Sequence, residues 1–277
     1  MTVISNKGVI LKAIPNGMPK VDEHFELVHR TIDIENLKLG ENEVVLKNLY
    51  LSLDPYIHLT FEEPGPTVYG IGDLVYATTI NVGWEEYSHF KSDAAFTLKH
   101  VNKELLKDTP LNYHISLFNT LKLKGLRVVG SAGSDEKIDF LLNELKFDAA
   151  FNYKKVDLDK GLSKHCPNGI DIFFDNVGYI CPHSGLWYDI TNPEETYKLK
   201  HVERILLKML RIQAFTVSQY RGTDIEKDFE KDFAEWVKTG KIIYKDDVFV
   251  GIENVAKGFV DMLSGKNLGK TVVKLSD

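Results

Sequence analysis

The chain has 277 residues, 43% of them hydrophobic and 27% charged. This is the profile of a soluble globular protein with one large domain or two ordinary ones, and it excludes a disulfide miniprotein, collagen or bulk disorder. Its 34 basic residues against 40 acidic ones leave a formal charge of −6, whereas a nucleic-acid binder carries a basic excess.

No apolar run approaches the ~20 residues that span a bilayer, and residues 1–20 show no leader or transit pattern. Two cysteines, Cys166 and Cys181, are too few for a disulfide framework or a structural zinc site. The cytoplasm is the expected compartment, with the nucleus left open.

Residues 1–118 read mainly as β. Val3, Ile4 and Val9 to Leu11 suggest an early strand. Phe25 to Ile32 and Glu43 to Leu49 alternate at period two, with Gly40 and Asn42 supplying the turn between them. Asp73 to Ala77 and Trp84 to Phe90 are further strand candidates. Many short strands without long helices suggest a small barrel or sandwich.

Beyond Leu121 strands and helices alternate, which implies a parallel sheet flanked by helices. Leu126 to Gly130 is a strand candidate. Ser134-Asp135 supplies a cap for a helix from Glu136 to Lys146, with Ile138, Leu141, Leu142 and Leu145 on one face. Ala149 to Tyr153 reads as strand, Ile170 to Phe174 as a buried strand, and Arg204 to Ile212 as an amphipathic helix. Ala214 to Ser218 is again strand. Ile225, Phe229, Phe233 and Val237 step by four through a helix whose charges form a solvated face. A helix carrying Val255, Phe259 and Leu263 and a strand from Thr271 to Leu275 close the chain, and that ending fits either domain.

A parallel sheet of this kind places ligands at the carboxyl ends of its strands. The strand–GxGxxG–helix fingerprint of a dinucleotide site is absent, and Gly130-Ser131-Ala132-Gly133 is only a GxxG. The tip of that strand holds no carboxylate before Asp135, and Lys137 follows one turn into the helix. As a cofactor site this would favour NADP over NAD; as structure alone it is a helix cap with a surface lysine. Asp175 to Gly178 suits a ligand crevice or an ordinary turn. Tyr220 could offer a phenol to a carbonyl or ribose, or serve as an amphipathic tyrosine. No GxSxG elbow and no HExxH pair is present.

Taken together, LSLDPY (Leu51 to Tyr56), GDLV (Gly72 to Val75), WEEYS (Trp84 to Ser88), VVGSAGSDEK (Val128 to Lys137), FDAAFNYK (Phe147 to Lys154), DIFFDNVG (Asp171 to Gly178), IQAFTVSQY (Ile212 to Tyr220) and GKNLGKTVV (Gly265 to Val273) resemble one family. In order and content the chain is similar to the zinc-free medium-chain dehydrogenase/reductases, in the branch of alkenal and prostaglandin reductases. The resemblance implies an α/β plus β fold: a GroES-like β-barrel, residues 1–118 and 248–277, with a Rossmann-type doubly wound domain, residues 119–247, inserted between.

It further implies NADPH-dependent reduction of the C=C bond of α,β-unsaturated aldehydes or ketones by a homodimer. The alternatives are a quinone reductase of the same superfamily, or a non-catalytic relative that has lost the cofactor loop. By motif position Ser134, Lys137 and Tyr153 would hold the 2′-phosphate, and Asn176 and Gly178 would line the nicotinamide half. Asn267 would reach the cofactor from the C-terminal segment. Tyr220 would orient substrate or relay a proton, and Tyr56 would border the substrate cleft.

The chain departs from the family pattern in four places. After Asp54-Pro55-Tyr56 it reads Ile57-His58-Leu59, without the family's arginine. Shorter omissions fall around Phe61 to Tyr69 and after Gly178. Between Tyr113-His114 and Leu121 the first strand of the Rossmann sheet, its phosphate loop and most of the following helix are missing, so the doubly wound sheet is expected to lack its first βα unit.

Overall fold

A computed structural model describes residues 3–40, 43–54, 75–77, 83–91, 98–100, 123–174, 203–213, 217–220, 222–243 and 245–276. The chain divides into two compact units. One comprises Met1–Leu106, Pro110–Ser116 and Lys245–Asp277, the other Lys107–Thr109 and Leu117–Tyr244.

In the first unit, strand β1 (Val3–Leu11) pairs antiparallel with β2 (Phe25–Asp33) over nine positions, from Val3 opposite Asp33 to Leu11 opposite Phe25. The other edge of β1 takes β6 (Trp84–Glu85). Strand β3 (Glu43–Lys47) pairs with β7 (Tyr87–Lys91), and β5 (Val75–Ala77) with β8 (Leu98–His100), both antiparallel. The chain's last strand, β12 (Lys270–Lys274), lies between β4 (Tyr50–Ser52), antiparallel to it, and β11 (Asp246–Val250), parallel to it. The expectation is a barrel; among the described residues the strands form four separate sheets in this unit and no closed barrel.

The C-terminal segment supplies much of the core. Helix α6 (Val255–Leu263) turns Val255, Ala256, Phe259 and Leu263 inward, at the i, i+1, i+4, i+8 spacing of one helical face. They meet Leu51, Leu53, Val272 and Val273, all buried. Phe259 is wholly buried, edge-on to Trp84 at 5.2 Å and to Phe25 at 6.3 Å between ring centroids. A polar seam stitches the sheets together. Buried Asn6 donates to the Tyr87 carbonyl and accepts from the Tyr87 N–H, both at 2.9 Å, and Asn48 donates to the Ser88 hydroxyl at 2.8 Å.

In the second unit, β9 (Val129–Ala132) and β10 (Ala149–Asn152) pair in parallel. Between them runs helix α2 (Asp135–Asp139), continued by a π-helical turn, Phe140–Glu144. Helix α3 (Leu158–His165) follows β10, capped by the Asp157 carboxylate, which accepts from the Lys160 N–H. The chain goes on through a short helix α4 (Glu203–Leu207) and a 3₁₀ turn, Val217–Tyr220. It then enters the long helix α5 (Asp224–Lys238), whose Phe233 and Trp236 pack with Ile242 and Leu123.

Four expectations are corrected here. Ile170 to Phe174 forms no strand and is not buried: Ile172 is 71% and Phe174 64% exposed. The helix expected to Ile212 stops at Leu207, leaving Leu206, Met209 and Leu210 on the surface. Val217 and Ser218 turn in 3₁₀ geometry instead of extending. In α5 the buried anchors are Phe233 and Trp236, while Ile225, at the helix start, is exposed. In each case the apolar pattern is present and a surface to cover it is absent among the described residues. Among those residues no helix is long and apolar enough to cross a membrane.

Two measurements test this architecture. Phe259→Ala removes the ring that joins the C-terminal helix to β2 and β6, and should cost about 3–5 kcal/mol in denaturant unfolding. Glu85 is the second. Burial pushes its carboxyl above the ordinary range, outweighing the Ser88 and Asn6 hydrogen bonds and the attraction of Arg30, 3.7 Å away. A raised folded pKa gives stability that is present below the unfolded value and lost as pH rises through the folded one. Glu85→Gln should therefore be the more stable protein at neutral pH, by about 1 kcal/mol, with the gap closing below pH 4.5. Thermal unfolding across that range reads it out.

Candidate functional site

Register creates the site. The parallel ladder sets Ala132 directly beside Asn152, so β9 and β10 end level and their following turns lie side by side. At the end of β9, Ser134 is extended and its hydroxyl accepts from the Lys137 N–H at 3.3 Å, the N-cap expected from the sequence. At the end of β10, Asn152 is buried and locks the second turn. Its Oδ1 accepts from the Lys154 N–H at 3.0 Å, and its amide donates to Asp135 Oδ1 at 2.8 Å. The Tyr153 N–H closes the pair by donating to the Ala132 carbonyl at 3.1 Å.

Gly133 lets these turns approach. A Cβ there would lie 2.8 Å from the Tyr153 phenol oxygen and 3.1 Å from Cε of Lys154. Any side chain at 133 would displace one or both. The structure thus brings three expected residues, Ser134, Lys137 and Tyr153, to one place. It adds three that sequence reasoning missed: Asn152, Lys154 and Lys155. Their signal was the run Phe151-Asn152-Tyr153-Lys154-Lys155 immediately after a strand, but only the register shows which turn they face.

Asp135 and Glu136 bring two carboxylates to the first turn of α2, and Asp135 is occupied. Lys155 forms an ion pair with it, and that contact together with the Asn152 amide holds its carboxyl below the usual carboxylate range. Gly133 is therefore met by the Tyr153 phenol and the Lys154 stem, beside the Ser134 cap, at the carboxyl ends of two parallel strands, where open α/β sheets bind their ligands.

The other expected residues lie elsewhere. Tyr220 ends the 3₁₀ turn, half-buried, its carbonyl accepting from both the Thr223 N–H at 3.2 Å and the Thr223 hydroxyl at 2.6 Å. Asn267 belongs to the first unit, where its amide donates to the Gly269 carbonyl at 2.8 Å and holds its own loop. Tyr56, Asn176 and Gly178 lie outside the described residues.

Two of the sequence stretches singled out above meet in the first unit. Lys270, at the end of GKNLGK, is largely buried and donates to the Leu53 carbonyl at 2.9 Å and to Asp54 Oδ1 at 2.5 Å. Asp54, from LSLDPY, also accepts from the Ser52 hydroxyl at 2.7 Å. On its other side the preceding Gly269 packs against the chain at Lys245: its φ is +110°, and a Cβ would fall 2.0 Å from the Lys245 carbonyl.

Comparison with known proteins gives the following. No family model matches the chain. A zinc-type alcohol dehydrogenase-like protein of Schizosaccharomyces pombe is 31% identical over 356 aligned positions, covering 99% of this chain and 100% of that one. The 2-alkenal reductase (NADP(+)-dependent) of Nicotiana tabacum is 30% identical over 349 positions, covering 99% and 98%. Among solved structures, CurA of Vibrio vulnificus in complex with NADPH superposes with a TM-score of 0.73 at 23% identity, covering 98% of this chain and 99% of that one. Both sequence alignments are longer than the 277 residues available, so the relatives hold internal stretches that this chain lacks.

The Lys270–Asp54 pair can be weighed directly. Lys270→Met leaves a half-buried carboxylate without its cation and should destabilise the protein by about 1–3 kcal/mol. A double-mutant cycle with Asp54→Asn should return a coupling above about 0.5 kcal/mol. Additive losses would show that the two side chains do not depend on each other.

Proposed function

The chain belongs to the zinc-free medium-chain dehydrogenase/reductase family, and on that premise we propose that it is an NADP-dependent oxidoreductase that reduces the C=C bond of α,β-unsaturated aldehydes and ketones. The observation that carries the reading is the meeting of Ser134, Lys137 and Tyr153 at the level ends of β9 and β10, with Asp135 held away by Lys155. A carboxylate free at this tip would select the ribose 2′-hydroxyl of NAD. Lysines, a phenol and a hydroxyl there suit the 2′-phosphate of NADP.

NADPH, when bound, would supply the hydride for the β-carbon, and a proton from solvent or a side chain would complete the α-carbon. The protein must hold the carbonyl with a hydrogen-bond donor as enolate charge develops. We assign that orienting role to the Tyr220 phenol, with Tyr56 at the border of the substrate cleft. Asn176 and Gly178 are assigned to the nicotinamide half and Asn267 to the approach from the C-terminal segment. Residues 1–118 and 248–277 form the catalytic part in this reading and 119–247 the cofactor part, in a cytoplasmic homodimer. The 2-alkenal reductase named above supports the substrate class.

Lys137→Ala decides the cofactor assignment. It should weaken NADPH binding about tenfold, the worth of one charge-assisted contact to phosphate, and leave NADH binding unchanged. Titration of the reduced-nicotinamide fluorescence measures both. Equal losses for the two cofactors would remove Lys137 from the 2′-phosphate site.

A further inference from the structure

Helix α2 opens on a carboxylate, Asp135, just beyond the end of β9 at Ala132. In a dinucleotide fold an acidic residue at such a strand tip hydrogen-bonds the ribose 2′-hydroxyl of NAD. The same charge repels the 2′-phosphate of NADP. A turn that takes NADP must therefore deal with Asp135, and the groups that do so come from the end of β10.

Asn152, the last residue of β10, is buried, and both ends of its side chain are used. The carbonyl end accepts from the Lys154 N–H at 3.0 Å, and the amide end donates to Asp135 Oδ1 at 2.8 Å. The first bond fixes the second. An N–H can face only the oxygen end, so the NH2 end must face the carboxylate. The Asn152 backbone carbonyl also accepts from the Lys155 N–H at 3.0 Å and the Val156 N–H at 2.9 Å. Lys155, carried on that turn, pairs with Asp135 Oδ2. Both oxygens of Asp135 are thus taken by one turn, and Asn152 organises it.

The two partners are unequal. In the ion pair Lys155 is 64% and Asp135 66% exposed, and an exposed pair of this kind holds its geometry weakly. The amide belongs to a buried side chain whose other end is already bonded, so its direction is retained. The same two contacts hold the Asp135 carboxyl below the ordinary carboxylate range. Its charge is therefore present at neutral pH and has to be managed by position.

We propose that Asn152 is a positioning residue for cofactor choice: without touching the cofactor, it favours the 2′-phosphate by holding the Asp135 carboxylate against β10. This rests on the reading of Ser134, Lys137 and Tyr153 as the 2′-phosphate site, and it goes beyond that reading by adding a residue that acts only through another. Once released, Asp135 sets a full negative charge loose beside the phosphate, and the preference for it falls.

The test uses adenosine 2′,5′-bisphosphate and 5′-AMP, which differ only in the 2′-phosphate. Calorimetric titration of the full chain with each gives the ratio of affinities. The wild type should prefer the bisphosphate at least about tenfold, and Asn152→Ser should cut that preference about fivefold. A serine hydroxyl can still accept from the N–H two residues on, which keeps the turn, but it is too short to reach Asp135. The released carboxylate is exposed and finds water, so the variant should unfold within a few degrees of the wild type. Asp135→Asn alone should change the preference less than about twofold. Added to Asn152→Ser, it should bring the preference back to within about twofold of the wild type. A loss that persists in the double variant would show that Asn152 works through the Lys154 turn alone, and would overturn the proposal. An undiminished preference in Asn152→Ser would overturn it as well, as would an equal gain from Asp135→Asn in both backgrounds. In all three cases the 2′-phosphate reading stands. No preference in the wild type would remove that reading, and the proposal with it.

Discussion

The parallel register that sets Ala132 beside Asn152 is the constraint from which the candidate site follows. Shifting it by one residue would exchange the faces of β10 and carry Tyr153 away from Gly133. With the register as it is, two loops that are twenty residues apart in sequence become one surface. Asn152 fixes it from below, spending its amide on Asp135 and its carbonyl oxygen on Lys154. A buried asparagine with both ends satisfied costs little and specifies one arrangement. Ser134 does the same for the other turn through its cap.

In the first unit the equivalent constraint is the return of the chain's end. Strand β12 fills the place between β4 and β11, and helix α6 covers the apolar side with Phe259. The aromatic group of Phe25, Trp84 and Phe259 draws on three segments far apart in sequence. This unit therefore closes only when the last thirty residues are in place. The Lys270–Asp54 pair adds a directed contact to that closure, where non-directional packing alone would leave the LSLDPY segment free to slide along β12.

Local chemistry was legible in the sequence, and partnership was not. Alternation marked β2 and β3, and the Val255, Phe259, Leu263 spacing marked α6, because those patterns are set within one element, and in α6 the structure buries all three side chains. The Ser134 cap was legible for the same reason. Ile170 to Phe174 misled because an apolar run records suitability for burial between two strands and says nothing of whether both strands exist. Trp236 was missed beside Phe233 because a strict step of four skips an i+3 neighbour on the same face. Asn152, Lys154 and Lys155 were missed because their roles arise only when β10 is laid against β9. The strand expected over Ala214 to Ser218 failed at Val217 and Ser218, which join a 3₁₀ turn to Tyr220 that Thr223 closes.

Charge near the turn completes the argument for what it recognises. Asp135 and Glu136 open the helix, as suits its positive end, and on sequence alone two carboxylates beside a phosphate site read as a contradiction. The structure answers it for Asp135. Three lysines, Lys137, Lys154 and Lys155, come from the two turns. Lys155 is committed to Asp135, and Asn152 turns that carboxylate back toward β10. The acidic residues thus stabilise the helix start, and the lysines of the two turns, with the Lys154 stem against Gly133, provide the positive field. Such a field attracts a phosphate monoester, which carries up to two charges, more strongly than a diester with one. The 2′-phosphate is the only monoester in NADPH.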